Sequence, residues 1–136
     1  MTLDYIEGST DKFSMIYYID EIISTFNKAK PIGRGIKTKT APEDLYKVDE
    51  YCEKLSPDEV KMFHNIVAKT LYTTKRASPD TCTEVAFLTT RVIEPKKYDW
   101  GELVHLMKYI RGTTDLPLIL STNVSGVIKW CIDESY

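Results

Sequence analysis

Two Ser-Pro-Asp cassettes, Ser56-Pro57-Asp58 and Ser78-Pro79-Asp80, constrain this chain more than any other feature. A serine hydroxyl accepts a hydrogen bond from an orphan backbone N–H at a helix start. Proline, with its φ preset and no N–H, suits the first helical position. Aspartate then stands at the positive end of the helix dipole. At the first cassette Glu59 completes a capping box. Behind it Val60, Phe63, Ile66, Val67 and Leu71 make one apolar stripe, and Lys75 and Arg76 stand at the C-terminal end. The second cassette, with Ser78 as its cap, opens a helix with Val85, Leu88 and Val92 on one face and Cys82 near it, ended by Pro95. A third helix starts at Asp99, spaced from Glu102 as an Asp-type capping box. It turns Trp100, Leu103, Val104, Met107 and Ile110 inward and ends at Gly112. Each helix has one apolar stripe and must bury it against the others.

The flanks read differently. Residues 3–6 and 12–16 have strand character around the turn-forming Glu7-Gly8-Ser9-Thr10-Asp11, which predicts a hairpin. Ile19, Ile22, Ile23 and Phe26 then recur at helical spacing and predict a helix over 17–26. Residues 27–45 break every pattern. They hold two Gly and two Pro, and no acid stands between Lys28 and Lys39. A basic, mobile loop is expected there, with a phosphate contact as a weaker alternative, since no P-loop pattern is present. Near the end, 116–121 and 126–132 read as strands around a turn. The predicted class is therefore α+β: an N-terminal β-hairpin and helix (1–26), a basic loop (27–45), a three-helix cluster (46–115) and a C-terminal β-hairpin (116–136).

The 136 residues amount to one domain's worth of chain, and 43% of them are hydrophobic, enough for a packed core. No apolar run approaches the roughly 20 residues that span a bilayer, and no signal-peptide pattern opens the chain, so an intracellular location and no membrane partner are expected. Cys52, Cys82 and Cys131 form no CxxC pair. Residues 60–111 carry nine basic and five acidic side chains, a mildly basic middle between acidic ends. Such a stretch can meet a phosphate backbone, although a solvated helix face explains it equally.

Little here points to catalysis. His64 and His105 lie mid-helix in different helices, and neither has metal-ligand spacing to another residue. No Ser or Cys sits in a nucleophile elbow. Tyr5, Tyr17, Tyr18, Tyr72 and Tyr109 could stack on bases or serve as core-edge residues with one wet end. Asp133 ends an apolar, β-prone run, a common way to present a metal-binding carboxylate. Two-metal phosphodiester chemistry needs several carboxylates around the ions, and Glu134 alternates to the other face of the strand.

The run from Phe63 to Leu120 resembles the copia-type retrotransposon polyprotein just after the reverse-transcriptase palm. The resemblance rests on Leu71-Tyr72, Lys75-Arg76, Pro79-Asp80, Val85, Leu88, Arg91, Pro95, Trp100, Leu103, Tyr109-Ile110, Gly112-Thr113 and Asp115, with many spacings agreeing at once. The stretch from Phe13 to Ile23 is similar to the segment that opens the family's thumb helix. Lys129 to Tyr136 lines up with the first strand of its ribonuclease H domain, which makes Asp133 a vestigial counterpart of the first metal-binding carboxylate. The chain departs from the pattern at Ser78, Cys131 and Glu134, and nothing in it matches the polymerase Tyr-x-Asp-Asp motif.

The resemblance implies a thumb-and-connection fragment with no catalysis of its own and neither cofactor nor metal. It would touch an RNA or DNA duplex weakly through phosphates, at Lys69, Lys75, Arg76, Arg91, Lys108 and Arg111. An apolar face that once met a palm domain could instead make it a structural, self-associating module.

Overall fold

The computed structural model describes residues 1–6, 10–37, 48–49 and 51–121. Among them the order is β1 (Thr2–Ile6), β2 (Thr10–Ser14), α1 (Ile16–Ala29), α2 (Pro57–Thr74), a 3-10 turn (Pro79–Thr81), α3 (Cys82–Thr90), α4 (Lys97–Gly112) and β3 (Leu118–Ser121). The architecture is α+β, with an N-terminal hairpin, packed helices and a strand at the C-terminal side. The second strand expected at 126–132, and Asp133 with it, lie outside the described residues, as do residues 38–45 of the expected basic loop.

The core is where the apolar stripes meet. Ile19, Ile22, Ile23 and Phe26 of α1 pack with Phe63, Ile66 and Val67 of α2, Val85 and Leu88 of α3, and Leu103, Leu106, Met107 and Ile110 of α4. Phe26 stacks on Trp100 with ring centroids 5.6 Å apart. Full burial of a large apolar side chain stabilises by roughly 1.5–3 kcal/mol, so this cluster is the principal source of stability. Helix α1 belongs to the bundle as much as the three helices of the sequence cluster do.

Contacts along α1 fix its direction. Tyr18 meets Tyr72, and Glu21 meets Lys69 three residues earlier on α2. The two helices are therefore antiparallel. The Tyr109 hydroxyl donates to Asp80 Oδ2, which brings the C-terminal end of α4 to the turn just beyond the C-terminal end of α2. Both helices thus end at the same pole of the bundle.

Local chemistry explains the helix ends. Ser56 caps α2, and the Glu59 carboxylate takes the Ser56 backbone N–H at 2.8 Å. Two expected starts are displaced. Ser78 makes no side-chain cap; a 3-10 turn precedes α3 instead. The Thr81 hydroxyl bonds the Ser78 carbonyl at 2.8 Å and meets buried Thr74 Oγ1 at 2.7 Å, and this pairing holds the turn. Helix α3 also stops at Thr90, short of Pro95. The Thr89 and Thr90 hydroxyls bond back to the carbonyls of Ala86 and Phe87, competing with helix continuation. Helix α4 begins two residues before Asp99. The Asp99 carboxylate accepts the Lys96 backbone N–H at 2.8 Å, while the Lys97 N–H is taken by the Glu53 carbonyl.

The sheet has the order β1-β2-β3, antiparallel throughout, with Leu3 opposite Phe13 and Phe13 opposite Leu118. Strand β3 thus joins the N-terminal hairpin. No local pattern announces that partner, because it depends on where α4 delivers the chain.

Candidate phosphate-contacting surface

The six cations expected to meet phosphate separate into two groups. Lys69 donates to Glu21 Oε1 at 2.9 Å and ties α2 to α1. Arg91, at the C-cap of α3, donates through Nε to Asp99 Oδ1 at 3.1 Å, and the Asp99 side chain is only 4% exposed. Both cations act within the fold.

The other four converge on the pole where α2 and α4 end. Lys75 and Arg76 follow the last turn of α2 and are exposed; Arg111 is exposed on the last turn of α4, and Lys108 is half-buried one turn before it. Cations suit both positions because the helix dipoles present their negative ends there. The ion pairs Lys54–Glu94, Lys69–Glu21, Arg91–Asp99 and Lys97–Glu53 use none of the four.

A second segment reaches this pole. After α1 ends at Ala29, the chain buries Ile32, turns through Gly33 at φ +64° and returns along α4. The Ile36 N–H donates to the Lys108 carbonyl at 3.0 Å. Gly35 lies so close to Gly112 that a Cβ there would stand 2.6 Å from the Gly112 nitrogen. Gly112 itself shows no positive φ; it is glycine because the Ile36 backbone occupies the space of a side chain. The docked segment carries exposed Arg34 and Lys37 beside α4. The Gly-Arg-Gly spacing was the available sequence signal for this docking, but nothing local identifies Gly112 as its partner.

One acid at this pole, Asp80, is already engaged. Tyr109 donates to Asp80 at 2.6 Å, and this bond pushes the phenol pKa up to about 12. Tyr109 is thereby held against the turn. His64 is exposed and His105 half-buried, on different helices. Cys52 and Cys82 are free thiols. Among the described residues no three His, Cys, Asp or Glu side chains are grouped to hold a metal, and no helix is long and apolar enough to cross a membrane.

Comparisons of the chain with protein-family models, with curated proteins and with solved structures give no match.

Proposed function

We propose that this chain is a non-catalytic thumb-and-connection segment of the copia-type reverse-transcriptase kind, which touches a nucleic-acid duplex through its phosphates. The observation that carries the reading is the convergence of Lys75, Arg76, Lys108 and Arg111 at one pole, joined there by Arg34 and Lys37 through the Gly35–Gly112 contact. Contacts of this kind position a duplex without reading its sequence.

Duplex binding measured against salt tests it. Six phosphate contacts give a slope of about −5 in log K against log salt, at about −0.9 per contact. Replacing Lys75 and Arg76 together by alanine lowers the slope magnitude by about 2, whereas Lys69→Ala leaves it unchanged. No binding at low salt, or a flat plot, refutes the reading.

One observation favours a second reading, a self-associating module. The strands pack chiefly on one another, and in β3 Ile119 is 55% and Leu120 51% exposed. Sedimentation across a range of concentrations separates the two: the first reading expects a monomer with duplex affinity, and the second a concentration-dependent oligomer without it.

A further inference from the structure

The pole that carries the cations also holds an aromatic cluster that phosphate contact does not use. Tyr18 of α1 and Tyr72 of α2 place their ring centroids 5.4 Å apart, tilted by 60°. One turn beyond Tyr72, the Arg76 guanidinium carbon lies 3.7 Å from the Tyr72 ring centre. Arg76 Nη1 also donates to the Tyr72 carbonyl at 3.3 Å, which holds the guanidinium over the ring. Tyr72 nevertheless keeps 45% of its surface exposed, and Tyr17, next to Tyr18 at the start of α1, keeps 87%. Arg76 covers one face of Tyr72, which leaves the outer plane of its guanidinium, the exposed part of Tyr72 and the open Tyr17 ring as flat surface that the core does not consume.

A nucleobase is the ligand such faces suit. Its π-face stacks on tyrosine rings and on guanidinium planes irrespective of its identity. Lys75, adjacent to Arg76, supplies a charge for the flanking phosphate. Bases inside a duplex expose no face and a blunt end offers only the outer face of its terminal pair, so an unpaired base, free to enter between the side chains, engages this surface more fully. We infer that Tyr17, Tyr72 and Arg76 form a stacking platform for an unpaired base at a duplex end, so that this pole binds a duplex with a single-stranded overhang in preference to a blunt one. The inference rests on the phosphate reading above.

The test uses the full chain and two DNA duplexes of equal length, one blunt and one with a four-nucleotide overhang containing 2-aminopurine. The overhang tightens binding about tenfold, within the range of base–aromatic stacking, and 2-aminopurine fluorescence is quenched on binding. In Tyr72→Leu the ratio of the two affinities falls towards one and the quenching is lost. Tyr17→Ser, at a position too exposed to disturb folding, moves both in the same direction. Equal affinity for the two duplexes in the wild type, with the steep salt dependence retained, overturns the platform while leaving phosphate contact standing. Absence of binding to either duplex at low salt overturns both.

Discussion

Gly35 and Gly112 meet backbone to backbone, and neither position has room for a side chain. A Cβ on Gly112 would overlap the carbonyl oxygen of Ile36, which a rigid backbone cannot move aside. The contact anchors the only described part of the basic loop to α4.

Gly112→Ala is therefore expected to destabilise the protein by about 1–3 kcal/mol, the usual cost of forcing atoms into a packed site. Gly101→Ala is the control. Gly101 lies within the same helix with open space where its Cβ would be, so the exchange should stabilise by about 0.5–1 kcal/mol. Urea unfolding of both variants checks the pair, and a neutral Gly112→Ala would contradict the docked geometry.

Glu84 gives the bundle an unusual dependence on pH. It is fully buried on α3, and neither carboxylate oxygen has a hydrogen-bond partner among the described residues. Burial, and then the neighbouring Glu102, raise its pKa from 4.5 to about 9. The folded chain keeps this proton across the window in which the unfolded chain releases it. Stability linked to Glu84 is thus fully present below pH 4.5 and falls as pH rises towards 9, by roughly 1 kcal/mol per unit. Glu84→Met, similar in length and apolar, should be more stable than wild type at pH 8, with the difference shrinking towards pH 5. Chemical denaturation across that range would show it, and a gap independent of pH would refute it.

Arg91 and Asp99 form the ion pair whose loss should be felt. Arg91→Ala leaves the nearly buried Asp99 carboxylate with the Lys96 N–H at 2.8 Å and without its cationic partner, a cost of about 2 kcal/mol. Lys97→Ala removes an ion pair with Glu53 that is exposed on both sides and should leave the thermal midpoint nearly unchanged. Equal effects of the two substitutions would place Arg91 outside the fold's supports.

The two Ser-Pro-Asp cassettes should respond unequally. Ser56→Ala removes a working cap and costs about 1 kcal/mol. The Ser78 hydroxyl caps nothing, so Ser78→Ala should have a much smaller effect on stability. Thermal melts of the two variants distinguish the positions, which local sequence makes look alike.

That contrast marks what was legible. The sequence by itself determined the helical segments, their apolar faces, the N-terminal hairpin and the cap at Ser56, because those features arise between residues a few positions apart. It pointed to the basic residues as a group without showing which were drawn into ion pairs within the fold. Tertiary structure alone decided that Lys69 and Arg91 face Glu21 and Asp99, that β3 pairs with β2, and that Gly35 lies on Gly112. Arg91 and Asp99 meet across the turn between α3 and α4, and the others join segments distant in sequence; all follow from how the helices pack, a property that neither spacing nor composition encodes locally.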